Sequence, residues 1–327
     1  MSYLSQARRA TGGGHSPHGG RGVPGGRGGL ARLDVKGSPY LYIAPFFVLF
    51  AGFGLIPLLY TGYVSFNNWD LLDGGAHTWA GLANYRELFH DPYFWNALRN
   101  SLSIWVLSTV PQLLVALWVA HLLNHRLRAK TALRMGVLLP NVTSIVAVTI
   151  VFAQLFGRDF GIINWLLGVV GVGPVDWQAD RWSSHLAISL IVAWRWTGYN
   201  ALIYLASMQA IPAHLYEAAT LDGAGQRQQL WRITVPMLRP TIMFTVVMST
   251  IGGLQIMAEP LLFAGSQTPT GGSDRQFQTV ALFMYEQGFR EFRFGYASAI
   301  AWTLCFIIVL FALINYLLTR RISSEKG

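Results

Sequence analysis

Charged residues and cysteines are scarce in this chain of 327 residues. Asp, Glu, Lys and Arg together make up 12% of the sequence, and Cys305 is its single cysteine. One cysteine excludes a disulfide within the chain, and no Cys-x-x-Cys or His-Glu-x-x-His pattern indicates zinc. The eight histidines show no ligand spacing, and His121 and His125, four residues apart, are more typical of a membrane interface. We predict no metal site.

Lysine is also rare, and its positions exclude a common type of nucleotide site. The three lysines are Lys36, Lys130 and Lys326, and none of them follows a glycine. A phosphate-binding P-loop needs a Gly-Lys-Ser/Thr sequence at its end, so this chain cannot form one. No catalytic constellation is present either. We predict that the chain has no catalytic residues, is not an enzyme and binds no cofactor, so that ATP and Mg²⁺ are used by another polypeptide.

Long apolar segments, in contrast, are abundant. The chain is 53% hydrophobic and has a mean hydropathy of +0.39, which is typical of membrane proteins. A membrane-spanning helix needs about 20 mostly apolar residues. The segments that meet this length are 41–64, 102–123, 135–156, 186–208, 241–263 and 296–318. The sequence therefore predicts an all-α integral membrane protein with six transmembrane helices.

The basic residues predict the orientation of these spans. Sixteen Lys and Arg residues lie on one side, seven lie in the opposite loops, and Arg195 lies inside a span. Because basic residues are enriched in cytoplasmic loops, both termini and the segment 210–240 are predicted to be cytoplasmic. The net charge of +9 is then a topology signal, and we predict no nucleic-acid partner.

The first 37 residues differ in composition from the rest of the chain. They contain eleven glycines with scattered Arg, His and Pro, and they have no apolar run. We predict a disordered Gly/Arg-rich cytoplasmic tail at 1–37, a six-helix transmembrane domain at 38–321 and a short cytoplasmic tail at 322–327. An arginine-glycine tail that binds RNA or acidic lipid is the alternative interpretation.

A polar stretch between the fourth and fifth spans is the most specific motif. It reads Glu217-Ala218-Ala219-Thr220-Leu221-Asp222-Gly223-Ala224, with Ile233-Thr234-Val235-Pro236 after it. It resembles the EAA loop of permeases of binding-protein-dependent ABC sugar importers, where Glu-Ala-Ala, a Gly six residues after the Glu, and Ile-x-Leu-Pro recur. Val235 replaces the Leu. The stretches 81–102, 132–144 and 271–300 resemble the same family, although Gly271-Gly272-Ser273 stands where many relatives have Gly-Gly-Pro.

The resemblance implies the type I ABC importer permease fold for about residues 39–321, in the carbohydrate-uptake type I family. It also implies the partners: a second permease subunit, two ATPase subunits, an extracytoplasmic solute-binding protein, a sugar substrate and the lipid bilayer. The chain is then a multi-pass protein of the bacterial cytoplasmic membrane. The segment 210–240 becomes the coupling loop, and the residues expected to contact the ATPase are Glu217, Ala218, Ala219, Asp222, Gly223 and Pro236.

Elementary chemistry agrees with a docking role for this loop. Pro212 fits the start of a short helix, Gly223 allows a tight turn, and a second short helix is predicted over 226–233. The small Ala218 permits close approach, and Glu217 offers a carboxylate to a basic groove. The alternative is an amphipathic loop on the bilayer surface, but such helices usually carry Lys and Arg on their polar face.

Polar and aromatic side chains inside the fourth and fifth spans predict the path of the solute. Polar groups are costly in lipid and normally face a cavity or a partner, and rings with amides suit a sugar. The candidate residues are Trp194, Trp196, Tyr199, Asn200, Ser249, Gly252 and Gln255. Gly252, Gln255 and Glu259 are expected to form one helical stripe. Arg195 can pair with Glu259, and Gly252 and Gly253 can instead pack against the second permease.

Three functions follow from these observations. The first is the transmembrane subunit of an ATP-driven importer for a disaccharide or oligosaccharide, with glycerol 3-phosphate as an alternative solute. The second is a stand-alone secondary transporter, which would show an inverted repeat that the sequence lacks. The third is a membrane-anchored enzyme or nucleic-acid-binding protein that acts through its tail. We favour the importer subunit, because the coupling-loop motif supports it.

Overall fold

The structure of the protein is a computed structural model that describes residues 40–70, 77–125, 128–265 and 270–324, with side chains up to residue 317. The chain divides into two compact units between Leu58 and Leu59. The described part of the first unit, residues 40–58, is helical and mostly exposed. The predicted tail at 1–37 and the last residues, 325–327, lie outside the described residues.

Helices dominate the described residues. They are α1 (Tyr40–Ser65), α2 (Ala83–His90), α3 (Pro92–Asn124), α4 (Lys130–Val142), α5 (Ile145–Leu155), α6 (Ile162–Val169), α7 (Arg181–Gln209), α8 (Ala213–Leu221), α9 (Gln226–Met237), α10 (Arg239–Leu254), α11 (Ala258–Ala264), α12 (Val280–Tyr285) and α13 (Phe294–Ser324). Strands β1 (Asn67–Trp69) and β2 (His77–Trp79) form a small antiparallel ribbon, with Asn67 opposite Trp79. The all-α prediction is thus confirmed apart from this ribbon.

Within the described residues, three single helices are long and apolar enough to span a membrane. They are α1, α3 and the part of α13 from Phe294 to Leu317. The bent pairs α4–α5 and α9–α10 raise the number to five if each pair counts as one span. Helix α7, the predicted fourth span, is 29 residues long but is not among these apolar candidates. The predicted count of six therefore stays a prediction, as do the cytoplasmic termini.

The prediction of single helices for 135–156 and 241–263 is wrong. The first segment is divided into α4 and α5, which are bent by 88°. The second ends as a helix at Leu254 and becomes helical again at Ala258. Apolar length alone did not show where either helix is interrupted.

Pro260 explains the interruption after α10. In a continued helix its ring would clash with the carbonyl of Ile256 and its missing N–H would remove a hydrogen bond. In the first turn of α11 that N–H is not needed. The carbonyl of Ile256 instead accepts a hydrogen bond from Thr279 Oγ1 at 2.7 Å. A backbone carbonyl within the break is therefore hydrogen-bonded by a side chain from another part of the fold.

Helices α3 and α7 pack closely at the centre of the second unit. Ala116, Ala120 and Ala201 are fully buried there, and small side chains let helix backbones approach. Gly198 of α7 serves the same purpose against α4, because a Cβ at this position would overlap the carbonyl of Val137. This packing gives the second unit a rigid frame on which polar side chains can be positioned.

The segment 271–279 is a largely buried connection held by polar side chains. Gly271 and Gly272 have φ angles of +92° and +96°, which favour glycine. Ser273 follows them in the sequence. Asn96 and Asn100 of α3 both donate to the carbonyl of Arg275, at 2.8 Å and 3.0 Å. Helix α3 therefore fixes the segment whose course the sequence left open.

Candidate transport cavity and coupling loop

A cavity of about 270 Å³ lies between helices α3, α7 and α10. It combines aromatic, amide, hydroxyl and apolar side chains with two glycines. The lining residues are Thr109, Gln112, Val192, Trp196, Tyr199, Asn200, Met248, Ser249, Ile251, Gly252, Gly253 and Ile256. Five of the seven residues predicted for the solute path are thus brought together. The sequence alone could name these residues but could not show that they line one cavity.

The aromatic and polar groups lie side by side along α7. The rings of Trp196 and Tyr199 meet edge to face, with their centroids 5.8 Å apart. Asn200 is buried, and its Nδ2 lies 3.5 Å from Ser249 Oγ of α10 in a long hydrogen bond. An apolar ring face next to amide and hydroxyl groups is suited to a polyhydroxylated solute, which has both apolar faces and hydrogen-bonding edges.

Gln112 of α3 also lines the cavity, and the sequence analysis missed it. Its side chain is only 3% exposed, and its Nε2 has no hydrogen-bond partner among the described residues. A buried amide without a partner costs free energy, on the order of 1–3 kcal/mol. The signal was available, because Gln112 is a polar residue inside the predicted span 102–123. A solute hydroxyl in the cavity would satisfy this donor.

Two of the predicted path residues lie elsewhere. Trp194 packs against Phe152 of α5, with ring centroids 5.2 Å apart, and does not line the cavity. Gln255 is exposed just after the end of α10. The stripe expected from Gly252, Gln255 and Glu259 does not form, because the helix ends before Gln255. The roles of all seven residues in transport stay predictions.

The two glycines of α10 have different surroundings. A Cβ on Gly252 would meet nothing within 4 Å, so this residue opens the cavity. A Cβ on Gly253 would lie 2.6 Å from Trp105 Cδ1, so this residue allows α10 to approach α3. Within this chain, close packing is therefore the role of Gly253 and not of Gly252.

An ion pair links α7 to α11 next to the cavity. Arg195 Nη1 lies 3.1 Å from Glu259 Oε1, as the sequence suggested, and the two side chains are 12% and 5% exposed. A buried pair of this kind satisfies two charges that would be costly alone. It also fixes α11, and so the end of the helix break at 255–257, relative to α7.

The predicted coupling loop forms an elbow of two helices, α8 and α9. Pro212 precedes α8, and Gly223 makes the turn with a φ of +77°, as expected for a glycine. The second helix is longer than the predicted 226–233, since it extends to Met237 through a π-helical turn at Leu230–Thr234. Helices α9 and α10 then meet at an angle of 69°.

Hydrogen bonds within the elbow hold it together. Gln229 Nε2 donates to Thr220 Oγ1 at 3.0 Å and to the carbonyl of Ala224 at 2.9 Å. The hydroxyls of Tyr216 and Thr234 are 2.9 Å apart and join the two helices. Tyr216 and Gln229 were missed by the sequence analysis, since nothing in their spacing separates them from ordinary polar surface residues.

The outer surface of the elbow is accessible. Glu217, Ala218 and Asp222 are exposed, and Leu221 is 90% exposed at the end of α8. The structure places Gly223 at the turn, while Ala219 and Pro236 are half-buried. An exposed leucine beside two carboxylates is a surface that a protein partner with an apolar, basic groove would cover.

No group of three or more possible metal ligands is found among the described residues. His121 and His125 do face each other, with ring centroids 4.9 Å apart at the end of α3. Two imidazoles alone fall short of the four ligands typical of a structural zinc site.

Comparison with known proteins places this geometry in a family. Residues 112–324 match the family described as binding-protein-dependent transport system inner membrane component. The chain is 33% identical over 290 residues to the lactose transport system permease protein LacF of Rhizobium radiobacter, covering 88% of this chain and 95% of that protein. It is 30% identical over 296 residues to the arabinooligosaccharides transport system permease protein AraP of Halalkalibacterium halodurans, covering 89% and 90%.

The fold is also known from a crystal structure. A chain of a bacterial ABC transporter involved in the import of the acidic polysaccharide alginate matches with a TM-score of 0.75 at 22% identity, covering 90% of this chain and 98% of that chain. At this sequence identity the match is evidence of a shared fold only. It supports the type I permease architecture that the resemblance implied. By its sequence, this chain belongs to the family of binding-protein-dependent transport system inner membrane components, as a membrane subunit of an ABC importer.

Proposed function

We propose that this protein is the transmembrane subunit of an ATP-driven importer that moves a disaccharide or oligosaccharide across the bacterial cytoplasmic membrane. The cavity between α3, α7 and α10 carries the proposal. Its ring faces and its amides at Gln112 and Asn200 match the two kinds of surface that a sugar presents. The related permeases named for lactose and arabinooligosaccharide transport point to the same class of solute.

The elbow of α8 and α9 is the proposed docking site for a separate ATPase subunit. Glu217, Asp222 and Leu221 form its exposed outer surface, and Gly223 sets its turn. A second permease, two ATPase subunits and an extracytoplasmic solute-binding protein would complete the transporter. ATP and Mg²⁺ would then be bound by the ATPase subunits.

Glycerol 3-phosphate is the alternative solute. A phosphate is normally bound by Arg, Lys or a helix N-terminus. The described residues that line the cavity include no Arg or Lys. The lining therefore favours a neutral sugar, and a stand-alone secondary transporter has no specific observation in its favour.

Uptake in the native host tests this proposal. A strain without the gene is supplied with radiolabelled lactose, maltose, trehalose, arabino-oligosaccharides or glycerol 3-phosphate. We expect the loss of accumulation of one or more of the sugars, restored by the wild-type gene and not by Glu217→Lys. Unchanged sugar uptake together with a loss of glycerol 3-phosphate uptake would refute the sugar assignment. Full rescue by Glu217→Lys would refute the docking assignment.

A further inference from the structure

A second, larger cavity opens between α10 and α13, along a stretch of α10 that does not line the transport cavity. It has a volume of about 430 Å³. We call it the Arg239 groove, and it is lined by Arg239, by the five apolar side chains of α10 from Ile242 to Val247, and by Asn315 and Tyr316 of α13. The transport cavity is also lined by α10, but by residues of its C-terminal half, from Met248 to Gly253, so the two cavities lie along different stretches of this helix.

The Arg239 groove has a polar end and an apolar body. Arg239 lies in the first turn of α10, and Tyr316 lies near the C-terminal end of α13, so both belong to the same end of the helix pair. Ile242 to Val247 supply the apolar body. Among the described residues, no carboxylate lies within ion-pair distance of Arg239. Within the part of the chain that the structure describes, the guanidinium thus has no anionic partner.

The length of the groove matches one leaflet of a bilayer. From Arg239 to Val247 α10 rises by roughly 12 Å, and half of the hydrocarbon core is about 15 Å thick. The distribution of basic residues along the sequence places the Arg239 end on the cytoplasmic side. That leaflet carries the anionic lipids of the membrane, and basic pockets between helices on this side bind their headgroups.

The side chains of the groove fit a lipid better than another helix. Contacts between membrane helices are enriched in Gly, Ala and Ser, which let the backbones approach. The residues that line the groove include none of these and are bulky, such as Met243, Phe244 and Val246. A flexible acyl chain can fill the space between such side chains, whereas a helix would be held away from it.

We propose that the Arg239 groove binds an anionic phospholipid of the cytoplasmic leaflet. Arg239 donates hydrogen bonds to the lipid phosphate, and the hydroxyl of Tyr316 lies at the same level. One acyl chain lies along Ile242, Val246 and Val247. The bound lipid thereby joins α10, which carries one wall of the transport cavity, to α13.

Native mass spectrometry of the full-length chain tests the proposal. The protein is reconstituted in nanodiscs that contain equal parts of phosphatidylcholine and phosphatidylglycerol, and the lipids that stay bound after release are identified. We expect wild type to retain phosphatidylglycerol in preference to phosphatidylcholine. Arg239→Gln should lower this preference about five-fold, as expected for one Arg near an anionic headgroup. Val246→Phe, which fills the apolar body, should lower the retention of both lipids.

Arg128→Gln is the matched control, because Arg128 is an exposed arginine, predicted to be cytoplasmic, that does not line the groove. It should leave the preference unchanged. Equal retention of the two lipids by wild type, or an equal loss in Arg239→Gln and Arg128→Gln, would overturn the proposal.

A photo-crosslinking residue at Val247, introduced in the native host, identifies what covers the groove in the assembled transporter. Adducts of phospholipid mass support the lipid site. Capture of a second permease subunit would show that the groove is a helix interface, and the proposal would be wrong. Neither result depends on which solute is carried.

Discussion

The elbow of α8 and α9 and the cavity between α3, α7 and α10 are built in opposite ways. The elbow is held by residues close in sequence, such as Tyr216 with Thr234 and Gln229 with Thr220, and its outer surface is exposed. The cavity is formed by residues as distant as Thr109 and Ile256, on three helices and the break that follows α10. A local motif keeps its shape with few outside contacts, whereas a cavity between separate helices depends on how those helices pack.

This difference predicts where mutations act. Changes on the surface of the elbow should affect the contact with a partner and leave the fold intact. Around the cavity, substitutions of residues that pack between helices should lower the stability of the protein. Substitutions of residues that face the open volume should instead weaken the binding of the solute. The following predictions test this division, from the largest expected effect to the smallest.

Glu217→Lys should abolish transport while the protein stays inserted in the membrane. Reversing an exposed charge on a docking surface puts like charges together, which costs several kcal/mol at an interface. The measurements are uptake in cells and co-purification of the ATPase subunit from detergent. Asp159→Lys, at an exposed aspartate before α6, is the control and should retain both. Full assembly and uptake in Glu217→Lys would mean that the elbow does not dock through this face.

Arg195→Met should destabilise the isolated chain by about 3–5 kcal/mol, because it leaves the buried carboxylate of Glu259 without its partner. The double variant Arg195→Met/Glu259→Met should recover most of this loss, since apolar groups then replace both charges. Thermal unfolding in detergent measures the effect. In the exposed pair of Arg158 with Asp176, Arg158→Met should cost about 0–1 kcal/mol. No recovery in the double variant would show that Arg195 acts through other contacts.

The sequence predicted the elbow well, because its signals are local. A proline before a helix, a glycine in a positive-φ turn and a motif of fixed spacing need no knowledge of the rest of the chain. It predicted the cavity only in part. Trp196, Tyr199 and Asn200 were found from their position within a span, but periodicity along one helix could not reveal that Trp194 faces Phe152.

The two predicted helices that the structure interrupts were also missed because the sequence does not show tertiary contacts. Apolar length predicts that a segment crosses lipid, but it does not predict where Pro260 stops the helix or that Thr279 satisfies the freed carbonyl. The continuous stripe of Gly252, Gln255 and Glu259 failed for this reason. A hydrogen bond from a distant residue, such as that of Thr279, satisfies a carbonyl at such a break, and a single sequence does not display it.

Gly253→Ala should destabilise the protein by about 1–3 kcal/mol, because the new methyl group meets Trp105 and forces α10 away from α3. Gly252→Ala is the matched control, since its methyl group enters the open cavity and should leave stability unchanged or slightly higher. Unfolding temperatures of the two variants in detergent give the comparison. If Gly252→Ala is the more destabilising change, the glycine that packs between helices has been assigned incorrectly.

Trp196→Ala should reduce uptake by a few-fold up to about ten-fold while the amount of assembled transporter stays the same. The ring faces the open volume beside Tyr199, so its removal costs a stacking contact of about 0.5–1.5 kcal/mol with the solute and little packing. Uptake per assembled complex in proteoliposomes separates these effects. Trp194→Ala is the matched control, because this ring lies two residues away on the same helix but packs against Phe152. It should lower the unfolding temperature and leave uptake per complex unchanged. Equal losses of uptake in the two variants would mean that both tryptophans of α7 act through helix packing, and that Trp196 does not contact the solute.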